Sequence, residues 1–423
     1  MQLIKNSPYK ILSIIGGQHS CGLVYYENGE IKVVLEEERL IRQKSYVDLH
    51  SNFFRYPLTS INELINNYGV NLDELDYITS FLEYNVVKDI MSGTVGYNLS
   101  PDKFIKTEHH ETHCALAYYF SGFDEDTLVI AIDGSGEQHS AKYYLGTNGR
   151  MEYIDGIGLD RKSIGMYYCA LTELLGFKRL KDEGKVVGLA GHGDYNHDYY
   201  KVFKEVLTLE GGLKTQISQF WDQNDLAGGA VYNEIFSRFF NMMGSRLHWK
   251  MDDHRKSIAY CGQLVFEETI LDILNTLHNM YPNVKKLALS GGIFANVKMN
   301  KRINELEWVD EVFITPPMGD EGLPLGSLAL TLKKLHPEFK NMLPTVTHPV
   351  DKTARIQIVT QETNPFFYNI LKKYKELTGI GCLVNTSFNV HNEPIVNKPE
   401  EAFKHLKNGI VDFLVTPYGI YSK

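Results

Sequence analysis

Leu128-Val129-Ile130-Ala131-Ile132-Asp133-Gly134-Ser135-Gly136-Glu137 is the stretch that decides the fold. It reads as a buried strand running into a glycine turn, with a carboxylate at the strand end. Ser140–Tyr144, the turn Thr147-Asn148-Gly149 and Arg150–Ile154 follow, a hairpin closed by Asn-Gly, which supplies the positive φ angles such turns require. The same order occurs about a hundred residues earlier: Ile11–Ile15, then Gly16-Gly17-Gln18-His19-Ser20, Gly22–Tyr26, Glu27-Asn28-Gly29 and Glu30–Val34. Repetition of that unit predicts a duplicated α/β domain with a cleft between its halves. Glycines at the strand ends let backbone N–H groups approach an anionic group.

A third element, Lys286–Ser290 with Gly291-Gly292 and Asn296, reads as strand, turn and a helix opening near Val297. Helices are expected at Thr112–Phe120, Gly165–Leu175, Ala259–Met280 and Pro324–Leu335. Residues 194–257 are rich in aromatic and polar residues and read as an insertion. Its Phe220, Trp221, Tyr232, Phe236, Phe239 and Phe240 could stack a base or pack an extra hydrophobic core. Pro337–Lys352 carries three prolines and reads as a linker, which sets a domain boundary near residue 340. The tail beyond it is read as strand Ile356–Val359, helix Pro365–Thr378, strand Gly381–Val384 and the loop Asn385–Asn389. The expected domains are therefore 1–340, with 194–257 inserted, and 341–423.

His109 and His113 lie four apart on a predicted helix, so their imidazoles share a face. By itself such a pair is ordinarily incidental surface or core histidine. Here glycine-rich strand ends flank it, and Asp133 and Asp320, the latter in Pro316-Pro317-Met318-Gly319-Asp320, add two carboxylates. Two His and two Asp form an N/O site that suits Fe(II), Mn(II) or Zn(II). His110, Glu111 and Glu137 stand near enough in sequence to orient such ligands.

Composition narrows the class. At 423 residues there is chain enough for two domains with sizeable cores. A net charge of −9 argues against broad attraction to nucleic acid or anionic membrane. The five cysteines, Cys21, Cys114, Cys169, Cys261 and Cys382, are scattered without paired spacing and read as reduced thiols of a cytoplasmic protein. No run is long enough to span a bilayer, and the N-terminus shows no signal segment.

The motifs in this order resemble the O-carbamoyltransferases of the nodulation-protein and cephalosporin-carbamoylation type. The matching residues are Gly17-Gln18-His19, Glu36–Arg39 with Arg42 and Lys44, His109-His110 with His113, and Asp133-Gly134 with Gly136-Glu137. They continue through Gly165 with Tyr167-Tyr168, Leu175–Phe177, Glu183–Lys185 with Gly188–Ala190, Ser290–Gly292 with Asn296, and Asp320 with Gly322. In the tail they are Thr347-His348, Thr353–Arg355 with Gln357, Asn385–Asn389 and Glu393–Val396.

The resemblance implies a duplicated actin/Hsp70-like (ASKHA) large domain, shared with the tRNA threonylcarbamoyl transferases, and a reduced α+β, YrdC-like C-terminal domain. It implies a metal, usually iron(II), on His109, His113, Asp133 and Asp320, and His19 as the catalytic base. Arg39, Lys44, Gly134, Gly136, Lys185, Gly291, Gly292, Asn296, Arg355, Asn385, Ser387 and Asn389 would bind nucleotide or carbamoyl phosphate. The implied reaction moves a carbamoyl group from carbamoyl phosphate, through an adenylate made with ATP, to an acceptor hydroxyl. The acceptor class spans sugars, antibiotic intermediates and hydroxymethylated pyrimidines in nucleotides or DNA, with no membrane partner and a homodimer allowed. Taken without the resemblance, His19 reads equally as a loop histidine, and Arg39, Arg42, Lys44 and Lys185 as solvent-facing cations.

The chain departs from the family at Ser20, where Asp is usual, at His192 for Tyr, and at Asn392 for Gly. It also lacks the segment between the domains that carries Gly-Pro-Arg-Ala-Leu and Arg-Glu-Pro-Phe-Arg-Pro-Phe-Ala-Pro. Three outcomes are open: a minimal adenylation site survives, carbamoyl phosphate is used directly, or the small domain has lost catalysis. Two other readings are a tRNA threonylcarbamoyl-type transferase and a nucleotide- and metal-binding regulatory protein on an actin-like scaffold.

Overall fold

The computed structural model describes residues 7–17, 20–43, 55–216, 229–243, 247–340, 361, 364–381, 383, 388–390, 393–416 and 418–422. In the first half, β1 (Lys10–Ile15), β2 (Gly22–Glu27) and β3 (Glu30–Glu36) form a meander. Helices α1 (Glu37–Ile41) and α2 (Leu58–Asn66), strand β4 (Tyr77–Ser80), helix α3 (Tyr84–Val95) and strand β5 (Phe104–Lys106) complete it. The first half ends with α4 (His109–Ser121), and the second opens with the meander β6 (Thr127–Ile132), β7 (His139–Thr147) and β8 (Arg150–Gly158). Next come α5 (Ile164–Leu174), α6 (Glu183–Ala190), α7 (His197–Val206), the short pair β9 (Leu209–Glu210) and β10 (Lys214–Thr215), α8 (Gly229–Met243) and α9 (Leu247–Met280). Strand β11 (Lys286–Ser290), α10 (Val297–Asn304), β12 (Glu311–Ile314) and α11 (Leu323–Leu335) close it.

The two sheets have one topology. The first is ordered β3-β2-β1-β4-β5 and the second β8-β7-β6-β11-β12. In each, the meander is antiparallel and the last two strands join parallel to the first strand of the unit. This is the duplicated actin-like α/β fold that the repeated openings predict. Both hairpins close as read: Asn28 and Asn148 adopt φ of 50° and 49°, and Gly29 and Gly149 follow at 87° and 77°.

Each half lends its neighbour a helix. α4 precedes the second sheet in the chain and packs on β6, β7 and β11, whereas α11 follows that sheet and packs on β1, β2 and β4. The two helices pack on each other, and the core between the sheets joins Ile11, Val24, Tyr118, Val129, Leu328 and Leu332. α2 and α3 cover the outer face of the first sheet. The outer face of the second carries the largest core, which includes α5 and α9.

Described residues of the stretch 194–257 belong to that largest core. Tyr199, Phe203, Ile235 and Phe239 are buried in it and Phe236 packs against it. Phe220 and Trp221 lie outside the described residues, as do the side chains of Tyr232 and Phe240. α9 begins twelve residues earlier than the apolar pattern suggests. Its first turns, with Lys250, Asp252, Asp253, Arg255 and Lys256, lack helical apolar spacing, which is why the pattern hides them.

The C-terminal residues contribute α12 (Pro365–Thr378), with the bounds the sequence predicts, α13 (Pro399–Lys407) and the hairpin of β13 (Phe413–Thr416) and β14 (Gly419–Ser422). Ala402, Leu406 and Leu414 form a small core there. The expected strand Ile356–Val359 lies outside the described residues, and Gly381–Val384 does so in part. Arg42, in a left-handed conformation after α1, ties the two regions together. Its guanidinium meets Glu401 at 3.0 Å and donates to the carbonyls of Ile395 at 2.7 Å and Pro394 at 3.2 Å.

Candidate metal centre and adjoining cavity

His109 is the first residue of α4, and that helix end is fixed from two sides. Glu108 caps it by accepting from the Glu111 N–H at 2.7 Å. Glu137, at the end of the turn after β6, accepts from the His109 N–H at 3.0 Å. Gly136 packs so closely there that a Cβ would stand 2.7 Å from His110 Nδ1. Asp133 caps the buried strand β6, and its Oδ1 accepts from the Gly292 N–H at 3.0 Å. Asp320 begins a short turn that leads into α11.

These elements bring the two histidines and two aspartates together. One ligand atom from each of His109, His113, Asp133 and Asp320 lies within 4.8 Å of all the others. His113 Nε2 is 3.3 Å from Asp320 Oδ1 and 3.6 Å from Asp133 Oδ2; His109 Nε2 is 3.5 Å and 3.6 Å from the same two atoms. Two ligands about 2.1 Å from one ion at a tetrahedral angle stand about 3.4 Å apart, so the spacing fits a shared cation.

Hydrogen bonding behind the ring favours that fit. Ser290 Oγ is 3.1 Å from the Met318 carbonyl and 3.1 Å from His113 Nδ1. The carbonyl only accepts, so it takes the hydroxyl proton, and Nδ1 must donate to Ser290. That leaves the Nε2 lone pair of a neutral His113 facing two carboxylate oxygens, a repulsive arrangement unless a proton or cation lies between them. His109 Nε2 is likewise buried without a hydrogen-bond partner. In the absence of metal, burial works against a charged His113, but the hydrogen bonds and charges of Asp133 and Asp320 outweigh it and carry its pKa to about 9. Desolvation opposes ionisation of Asp133, yet the two histidines hold its carboxyl well below the usual range. A divalent ion would displace the proton on His113.

Asp133 also lines a cavity of about 390 Å³. Its walls include Gly134, Met166, Tyr168, Leu180, Val187, Phe266, Gly292 and Asn296. Aromatic and aliphatic surface, the cations Arg179 and Lys181, and the Asp133 carboxylate shared with the cluster suit an amphipathic, charged ligand. Gly291 adopts φ of 102°, and a Cβ there would stand 2.1 Å from the Ile132 carbonyl oxygen. Only glycine therefore lets the β11 turn approach β6 and present the Gly292 N–H to Asp133.

The other residues singled out in the sequence are dispersed. Gly134, Gly292 and Asn296 line the cavity; Gly136 and Gly291 support it from behind. Lys185 pairs with Asp182 at 2.8 Å, and Arg39 pairs with Glu36. Asn389 sits in the C-terminal region, where its amide donates to the carbonyls of Val390 and Glu393. His19, Lys44, Arg355, Asn385 and Ser387 lie outside the described residues. Sequence reasoning gave no role to Ser290, although it opens the Ser-Gly-Gly motif, and passed over Gln263, whose partners Tyr168 and Asn296 are distant in the chain. His110, a candidate for orienting the ligands, is fully buried with neither ring nitrogen partnered, and desolvation holds its pKa well below the usual value.

Among the described residues no helix is long and apolar enough to cross a membrane.

Comparison with known proteins matches the family model for the carbamoyltransferase N-terminus over residues 56–329 and the carbamoyltransferase C-terminus over 324–423. The uncharacterized protein sll1178 of Synechocystis is 22% identical over an alignment covering 98% of this chain and 96% of its own. That alignment runs to 608 positions against a chain of 423 residues, so well over a hundred positions of the relative have no counterpart here. Nodulation protein NolNO of Sinorhizobium fredii is 25% identical over 75% of this chain and 47% of its own length. The crystal structure of full-length HypF in its phosphate- and nucleotide-bound form covers 79% of this chain and 57% of that one, at 15% identity and a TM-score of 0.46. The chain thus spans about half the length of two of these proteins, and its alignment with the third reaches nearly end to end with long gaps. With both family models matched in order over residues 56–423, the chain belongs to the carbamoyltransferase family.

Proposed function

We propose that this carbamoyltransferase moves a carbamoyl group from carbamoyl phosphate to a hydroxyl or hydroxymethyl oxygen, with a divalent metal held by His109, His113, Asp133 and Asp320. The observation that carries the reading is the continuity of the cluster with the cavity, since Asp133 belongs to both. The cavity is the site for the nucleotide end of a carbamoyl adenylate, or for the donor itself where no adenylate forms. An ion held by these four residues would supply Lewis-acid chemistry, offsetting phosphate charge on the donor.

The chain's own groups do the rest. Gly292 N–H holds one Asp133 oxygen and leaves Oδ2 for the ion; Ser290 keeps the His113 proton on Nδ1 and its Nε2 free. The acceptor oxygen forms a bond to the carbamoyl carbon as the bond from that carbon to the phosphate oxygen breaks. The phosphate, or AMP, leaves with the electron pair. His19 takes the hydroxyl proton, a role that rests on the family motif. The reading that the adenylation machinery is reduced rests on the two arginine-bearing family motifs that this sequence does not contain. The division into a transfer domain to about residue 340 and a reduced tail belongs to the same proposal, as does iron(II) as the resident metal.

The test supplies purified protein and iron(II) with carbamoyl phosphate and a panel of sugars, hydroxymethyl nucleosides, nucleotides and hydroxymethylated DNA, with and without ATP. Mass spectrometry reads the carbamoyl increment. Product only with ATP means that adenylation survives; product without it means direct use of carbamoyl phosphate. Failure in both arms, with nucleotide and metal still bound, favours the regulatory reading.

A further inference from the structure

Behind the cavity lies a buried chain of hydrogen bonds that the reaction scheme does not use. Gln263 on α9 is fully buried, and both ends of its amide are satisfied. Its Nε2 donates to Glu267 Oε1 at 2.7 Å and to Asn296 Oδ1 at 3.1 Å. Its Oε1 accepts from Tyr168 Oη at 2.6 Å and from Asn296 Nδ2 at 2.9 Å. Glu267, 2% exposed, is held in turn by Arg302 at 2.9 Å and Lys298 at 3.8 Å. Asn296 Oδ1 also accepts from the Met299 N–H at 3.1 Å, capping α10.

One charge sets the direction of every proton in this chain. The Glu267 carboxylate can only accept, so Gln263 must turn its NH₂ toward it and its oxygen toward Tyr168 and Asn296. The paired amides then fix Asn296 with its oxygen toward Gln263 and its nitrogen toward Tyr168. One Asn296 N–H is used by Gln263, and the other faces the Tyr168 hydroxyl oxygen, from which a ligand acceptor would take it. Burial drives the Tyr168 hydroxyl pKa upward, so that group stays a neutral donor to Gln263 and keeps its oxygen lone pairs. Asn296 and Tyr168 both line the cavity.

We propose that Gln263 is a positioning residue for nucleotide recognition: it commits Asn296 to offering an amide N–H, and Tyr168 an oxygen acceptor, to a nucleoside in the cavity. This rests on the nucleotide reading of that cavity. A reversed Asn296 amide would present oxygen to the ligand and strip α10 of its cap.

The experiment is a double-mutant cycle on ADP affinity, measured by calorimetry on the full chain, with far-UV circular dichroism to verify folding. The wild type, Gln263→Met, Asn296→Ala and the double variant are compared. Each single change is expected to weaken ADP binding about tenfold, and the double variant to bind within twofold of Asn296→Ala, because Gln263 acts through Asn296. An additional tenfold loss in the double variant, or an unchanged affinity in Gln263→Met, overturns the assignment. Absence of ADP binding to the wild type removes the nucleotide reading and this inference with it. Should Gln263→Met fail to fold, Glu267→Gln replaces it. That variant keeps volume and hydrogen-bonding capacity but deletes the charge that orients the chain, and the same non-additivity with Asn296→Ala is expected.

Discussion

Replacing Ser290 with Ala removes one oxygen atom that touches no ligand. Its consequence can be worked through the ring behind which it sits. Ser290 is fully buried, and its Oγ is the acceptor for His113 Nδ1 at 3.1 Å. Without it, a neutral imidazole has two choices. It can keep the proton on Nδ1 as an unsatisfied buried donor, at a cost of about 1–3 kcal/mol. Otherwise it can move the proton to Nε2, where the carboxylates of Asp133 and Asp320 welcome it and where it blocks the metal. Both routes weaken metal binding, by about 10–100-fold or about 1.4–2.7 kcal/mol. Calorimetric titration of Mn(II) or Zn(II) into chelator-stripped protein at pH 7.5 measures it, with His113→Ala as the broken reference. A folded Ser290→Ala protein that binds within twofold of wild type would falsify the tautomer argument.

Other predictions follow from the same geometry. The proton on metal-free His113, with a pKa of about 9 against an ordinary 6.5, stabilises the fold fully below pH 6.5 and is released as pH rises through 9. Thermal melts of chelator-treated protein should therefore lose about 2 kcal/mol between pH 7 and pH 9, a loss that saturating metal abolishes; a flat profile without metal would refute it. Gly291→Ala forces a Cβ against the Ile132 carbonyl and should cost more than about 3 kcal/mol in urea denaturation, whereas a change under about 1 kcal/mol would show that the turn can shift. Arg42→Ala should loosen the C-terminal region by about 1–2 kcal/mol, since its ion pair with Glu401 is partly exposed and its two carbonyl contacts carry the remainder. Faster tryptic release of that region, with the thermal transition of the rest unmoved, is the expected readout, and equal cleavage rates would count against it.

The sequence discloses what local chemistry encodes. Asn28-Gly29 and Asn148-Gly149 announce their hairpins because few other dipeptides tolerate two positive φ angles. The Ile11–Ile15 and Leu128–Ile132 runs announce buried strands, and their recurrence announces the duplication. The four-residue step from His109 to His113 shows that the two rings share a face. What stays hidden depends on pairing across long separations. Ser290 meets a ring 177 positions away, and Gln263 meets Tyr168 95 positions away. Neither residue type distinguishes itself from an ordinary core polar group until the fold supplies the partner. The early start of α9 is hidden for another reason: Leu247, Trp249 and Met251 stand two apart in sequence, a step that does not sum to one helical face.

The exchange of helices between the halves would make a metal held at the candidate centre a gauge as well as a holder of charge. His109 and His113 ride on α4 and Asp133 on β6, all packed with the second sheet, while Asp320 stands on the crossing that leaves β12 for α11 and the first sheet. Three donors thus travel with one jaw of the cleft, and the fourth is tethered to the other. A rotation of the halves would change the distance from Asp320 to the other three residues first. An ion seated there would resist opening, and by reciprocity whatever shuts the cleft would tighten its grip on the ion. The linewidth of bound Mn(II) would then register the angle between the halves.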